Sequence, residues 1–300
     1  MSRQQPYATP SPIRPLALGL GLAALTLTGT ASALEPAWET DAVFEQPESI
    51  AYDAASGYLY VSNIAGDPDD ANGKGFISRM TLDGEVETLN WASGLNAPKG
   101  IDIVGDRLFA ADIDHLVEID LTSGEIVARH EGNRAVFLND VAAAPDGNVY
   151  VSDMMTDAIY RLQDGEFTRW LESSELQGPN GVLVENDTLI IGSWGNIVDG
   201  FETDTAGHLK TVERESGAVR SLGDGSEVGH LDGVQPDGDG NYLVTDWMSG
   251  DLYRIQSNGE FETLMNLGQG LADHLVLLDQ ELVILPQMMD GVVHAYRLEP

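Results

Sequence analysis

The 300-residue chain has no cysteine at all. That excludes disulfide staples, thiol catalysis and cysteine-bound metals. Lysine is nearly absent too, with Lys74, Lys99 and Lys210 the whole supply. Against 49 acidic residues stand 15 Lys and Arg, a formal net charge of -34. A chain so acidic repels phosphate backbones and anionic headgroups, so neither nucleic acid nor a membrane surface is an expected partner. Cations are. Aromatic residues make up only 7%, but 42% of the chain is hydrophobic, enough to build a large core.

Only the N-terminus holds a long apolar run. Arg14 precedes LALGLGLAALTLTG, which ends in the small residues Ala31-Ser32-Ala33. This pattern reads as a secretory signal peptide over residues 1–33, cleaved after Ala33, rather than as a membrane anchor. The mature chain, 34–300, is then expected in the periplasm or outside the cell. It is expected to act as a monomer on a small-molecule substrate, with no membrane contact after cleavage.

The mature chain repeats itself six times. PESIAYDAASGYLYVSN from Pro47, PKGIDIVGDRLFAAD from Pro98 and LNDVAAAPDGNVYVSD from Leu138 share one grammar with three later segments. Those are PNGVLVENDTLIIGSW from Pro179, LDGVQPDGDGNYLVTD from Leu231 and ADHLVLLDQELVILPQ from Ala272. Each reads as a strand, a turn rich in Asp, Gly or Asn, and a second strand. Third strands follow, such as AIYRLQ from Ala158 and DLYRIQ from Asp251, and then fourth strands such as GEFTRWL from Gly165. Four short strands per unit, six times over, predict an all-β, six-bladed β-propeller with four antiparallel strands per blade. A β-sandwich gives no reason for six copies of one unit. The sixth unit lacks a fourth strand, and Trp38–Phe44 resembles one, so the N-terminus is expected to close the ring on the last blade. Tyr60, Phe109, Tyr150 and Tyr242, on second strands, read as packing between blades.

Innermost strands of a propeller line its central channel, so the second residue of each repeat belongs to a ring at one mouth. That ring reads Glu48, Lys99, Asn139, Asn180, Asp232 and Asp273. Converging carboxylate and amide oxygens without Cys or His suit a hard cation, and Ca²⁺ best, because it takes several oxygens in loose geometry. Zinc is disfavoured by the same donors. Asn-Asp at 139, Asn-Gly at 180 and Asp-Gly at 232 also serve as ordinary turn dipeptides, the plainer reading of each alone.

The ordered set PESIAYD, FLNDVAAAPDGNVYVSD, GPNGVLV and HLDGVQPDGDGNYLVTD resembles the superfamily of six-bladed calcium-dependent hydrolases. That superfamily joins gluconolactonase, regucalcin (senescence marker protein) and diisopropylfluorophosphatase, with paraoxonase more remote. The resemblance implies that Glu48, Asn139, Asn180 and Asp232 bind a catalytic divalent cation, with Asp232 also a proton acceptor. It further implies hydrolysis of a lactone or related ester. The arginine with which the family often grips a sugar acid has no counterpart here, and Lys99 is the candidate to replace it. Asp273 and His274 resemble an acid-His pairing of blade 6 in some relatives, which adds His274 to the catalytic candidates beside Asp232 and Lys99. Three other readings remain open: Lys99 turned out to solvent, His274 packed in the core, and a binding or scaffolding propeller with a structural calcium ion. A lyase on the same fold would need a catalytic Glu that the sequence does not single out.

Other features read as structure. Met154-Met155 and Met288-Met289 follow second strands and read first as packing, with a place at the pocket mouth as the other option. The loop Gly66–Gly75 lacks the Glu that would end a calcium loop and reads as a solvated connection over the active-site face.

Overall fold

Short runs of β-branched and aromatic residues, cut every few positions by Gly, Asp or Asn, can only pair with near neighbours in sequence. The computed structural model, which describes residues 34–298, shows that outcome in five blades, the sixth being completed by a strand from the other end of the chain. Blade 1 is Pro47–Asp53, Tyr58–Asn63, Gly75–Thr81 and Val86–Leu95, each strand antiparallel to the next. Blade 2 spans Pro98–Val104 to Ile126–Glu131, blade 3 Leu138–Ala143 to Glu166–Glu172, and blade 5 Leu231–Pro236 to Phe261–Asn266, in the same order. Blade 4 starts at Pro179–Glu185 and ends at Val219–Ser221, and between its second and third strands it inserts a hairpin, Gly195–Asp199 with Glu202–Ala206. The signal-peptide reading of 1–33 lies outside the described residues.

Blade 6 is closed from the other end of the chain. Its sheet runs from Leu275–Leu277 through Leu282–Gln287 and Val292–Arg297 to Glu35–Glu39. Closure by an N-terminal strand holds, but the strand is 35–39, not 38–44. Thr40 and Phe44 still donate to the carbonyls of Val293 and Gly291, but the chain turns at Asp41, whose carbonyl accepts the Val43 N–H. The Trp and Phe that suggested a seven-residue strand therefore do different jobs. Trp38 pairs opposite Ala295, and Phe44 is buried among Ile50, Leu59 and Ile284.

Apolar side chains alternate along the strands, and blades stack face to face, so the core is six inter-blade layers. Tyr60 packs with Leu108 and Val117 between blades 1 and 2, and Phe109 with Val149 and Tyr160 between blades 2 and 3. Tyr150 and Tyr242 do the same at later junctions, as expected from their strand positions. The last junction joins blade 6 to blade 1 through Ile284, Val293, Leu59 and Val61.

Removing the closing strand leaves the Val292–Arg297 edge unpaired. A chain beginning at Gln46 is expected to aggregate or to melt at least about 10 °C below one beginning at Leu34. Equal melting temperatures by circular dichroism would show that closure carries no stability.

Candidate metal centre and substrate cavity

The head of each innermost strand is held by one repeated device. Its first residue pairs with the last residue of the second strand: Pro47 with Asn63, Pro98 with Asp112, Leu138 with Asp153, Pro179 with Ser193, Leu231 with Asp246. The register then slips by one residue before pairing resumes, for example at Ile50 with Val61. Such a bulge re-aims the side chains within it. The residue closing the second strand clamps the chain that enters the bulge. Asp112 accepts the Ala97 N–H at 2.8 Å, Asp153 the Phe137 N–H at 3.1 Å, Asp246 the His230 N–H at 3.1 Å, and Asn63 the Glu45 N–H at 3.0 Å. Sequence reading passed over these residues, although the endings VSN, AAD, VSD and VTD carry the signal.

Glu48, Lys99, Asn139, Asn180 and Asp232 follow these anchors directly. All five are at most 6% exposed, and they line a single cavity of about 170 Å³. Five blades thus bring their expected ring residue to one place. Asn-Gly and Asp-Gly there are not turns: Asn180-Gly181 and Asp232-Gly233 lie inside strands. Gly181 is required by close approach, since a Cβ would sit 1.9 Å from the Asp232 carbonyl oxygen of the next blade.

Blade 6 corrects the alignment. Its anchor pair is Leu271 with Gln287, so the ring position is Ala272, and Asp273 stands one residue further down the channel. Asp273 lines a separate cavity of about 230 Å³ together with Asp102 and Asp140. His274 falls where the other blades place Ile50, Ile101, Val141, Val182 and Val234. It is 0% exposed, neither ring nitrogen has a hydrogen-bond partner, and burial pushes its pKa down to about 3. The structure therefore does not bring His274 to the cavity that holds Asp232.

Lys99 is inward, not out in solvent. It is 2% exposed, its ammonium donates to the Ala97 carbonyl at 3.2 Å and lies 4.3 Å from the centre of the Phe137 ring. Burial lowers its pKa to about 8, with Glu48 and Asp112 pulling the other way.

The floor's electrostatics are one-sided. Burial, reinforced by Asp232, Asp273 and Asp140, pushes the Glu48 carboxyl well above the usual range. Burial, then Asp273 and Asp246, does the same to Asp232. Glu48 Oε2 is buried with no hydrogen-bond partner, the Asn139 amide donates to Asn180 Oδ1, and the Asn180 side chain hydrogen-bonds Asp232. Among the described residues, no three His, Cys, Asp or Glu side chains form a metal-holding group, so amide oxygens must complete any shell here. Two crowded carboxylates, one with an orphaned oxygen, and two amides fit a hard divalent cation.

Above the floor the walls are apolar. Phe137, Met154, Trp194, Phe201, Trp247 and Met288 line the cavity. Trp194 follows the end of the blade 4 second strand, and Phe201 sits at the tip of the inserted hairpin, 5.5 Å from Phe137 between ring centres. Sequence reading named none of these aromatic residues. Met154 and Met288 both pack in buried clusters and line the cavity, so both options hold for them, whereas Met155 and Met289 do not line it.

Residues 46–270 match the model of the SMP-30/Gluconolactonase/LRE-like region. The chain belongs to that family. Among solved structures it is similar to a gluconolactonase from Xanthomonas campestris, at 17% identity and a TM-score of 0.65, over 89% of this chain and 88% of that one. It is also similar to virginiamycin B lyase from Staphylococcus aureus, at 15% identity and a TM-score of 0.58, over 87% and 99%. A nidogen/laminin complex matches at 18% identity and a TM-score of 0.57, over 74% and 83%. A search of curated protein sequences gave no significant match. At these identities the structural likenesses show the fold, and that fold occurs in a gluconolactonase, a lyase and a nidogen/laminin complex alike.

Calcium at about a hundred times its dissociation constant is expected to stabilise the protein by about 2.7 kcal/mol. Differential scanning calorimetry in calcium and in chelator checks this, and coincident melting curves would refute the cation site.

Proposed function

We propose that the protein is a calcium-dependent hydrolase of a lactone or related ester, exported to the periplasm or the cell exterior and acting as a monomer. One observation carries the reading: Glu48, Asn139, Asn180 and Asp232, from four different blades, form the floor of one cavity open to small molecules. Family membership supports it. These four residues would hold the cation, which supplies Lewis acidity to the carbonyl oxygen of a bound substrate.

The chain's own residues do the rest. Water adds to the acyl carbon, the ring acyl–oxygen bond breaks, and the departing oxygen takes the proton that the water loses. A lactone thereby opens to a hydroxy acid with no other reactant. Asp232 is the proton's way station, through a carboxylate oxygen not engaged by Asn180. Lys99 places a positive charge at the edge of the floor, suited to a substrate oxygen that gains negative charge. His274 has no part, given its place outside the cavity.

Asp232→Asn is expected to lower kcat at least about a hundredfold on any lactone that the wild type hydrolyses. In chelator the same variant should melt no lower than wild type, because it removes one of several crowded buried carboxylates. A variant with near wild-type turnover would remove Asp232 from the chemistry. No chelator-sensitive hydrolysis of lactones, aryl esters or phosphotriesters would favour a binding propeller with a structural calcium ion.

A further inference from the structure

The cavity walls specify the substrate more narrowly than the floor does. We infer that this site takes a neutral, apolar lactone or ester, with an alkyl or aromatic substituent on a single small ring, and not a polyhydroxylated sugar lactone. The inference rests on the hydrolase reading for the reaction, but on the walls for the selectivity.

Every cavity-lining residue outside the floor is apolar. The polar atoms that such residues carry are already used. The Trp194 indole N–H donates to the Phe201 carbonyl at 3.0 Å, and the Trp247 indole N–H to the Met288 sulfur at 3.2 Å. The Lys99 ammonium, which donates to the Ala97 carbonyl and lies over the face of Phe137, sits at the edge of the floor, where it serves the reacting ester group and not hydroxyls against the walls. A sugar hydroxyl pressed against these walls gives up water and gains no partner, whereas an alkyl or aryl group gains contact.

Size agrees. A cavity of about 150 Å³ holds one benzene molecule, and the one here is about 170 Å³. That is room for one ring and a short substituent.

Phe201 is the specificity-determining residue. It tops the blade 4 hairpin, packs edge-on against Phe137 and lies 6.3 Å from Trp194 between ring centres, yet it remains 45% exposed. Its open face is where a substituent would rest.

The test uses the calcium-loaded mature protein and a series: δ-valerolactone, its 5-methyl, 5-propyl and 5-pentyl derivatives, dihydrocoumarin and glucono-δ-lactone. In wild type kcat/KM should rise about two- to fourfold per carbon over the first carbons, with glucono-δ-lactone the poorest substrate. Phe201→Ala should flatten that slope. Binding of the matching lactams is followed in parallel through tryptophan fluorescence, since Trp194 and Trp247 line the cavity. Lactam affinity should climb with the same substituents. A flat wild-type slope, or a preference for glucono-δ-lactone, overturns the inference and leaves the hydrolase reading standing. Tighter binding of alkylated lactams without hydrolysis of any lactone supports the inference and overturns that reading. No preference among the lactams overturns the inference whatever the activity.

Discussion

The hub of this molecule is a crowd of carboxylates that have lost their water. Glu48 and Asp232 face one side of the ring, with Asp140, Asp273 and Asp102 on the other, and all but the half-buried Asp102 are buried. Much of the surrounding structure exists to hold that crowd together. Asp140 accepts the Val182 N–H of blade 4 at 2.6 Å, Asp102 accepts the Ala143 N–H of blade 3 at 2.7 Å, and Ser49 of blade 1 donates to Asp273 of blade 6 at 2.5 Å. The lower acids thus stitch neighbouring blades, with backbone N–H groups offsetting part of the desolvation cost. The upper pair has fewer such partners, and Glu48 keeps a carboxylate oxygen with none. This imbalance between the two layers is why the upper side reads as a cation site and the lower side as a joint.

The sequence carried the fold because a propeller repeats itself. Six copies of one pattern left little choice of architecture, and the ring followed from the position of one residue per copy. Blade 6 escaped because its sequence misleads: Ala272-Asp273 looks like Leu231-Asp232, while the pairing that sets the register, Leu271 with Gln287, lies one residue earlier. Register is a property of two strands, and one strand's composition does not display it. The closing strand was misplaced for a related reason, since its aromatic residues matched a pattern while the turn at Asp41 ended the pairing.

The cavity walls were the least legible part. Met154, Trp194, Trp247 and Met288 each directly follow the anchor residue that ends a second strand, Phe137 precedes the blade 3 innermost strand, and Phe201 comes from an insertion. The wall does have a repeat position, but one filled by unlike side chains. The only hint was the longer gap between Asn180 and Asp232, whose extra residues form the hairpin that carries Phe201. Floor and walls therefore have different origins in the chain. Innermost strands supply the polar floor, and the connections beyond the strands supply the apolar roof.

The central claim is that four oxygen-bearing side chains of the ring together hold one calcium ion. A crystal structure of the mature protein grown with calcium, with anomalous scattering collected at long wavelength, tests it directly. The account predicts a peak on the cavity side of the ring, about 2.4 Å from side-chain oxygens of Glu48, Asn139, Asn180 and Asp232. An empty floor at saturating calcium, or an ion held only by Asp140 and Asp273 on the far side, would contradict it.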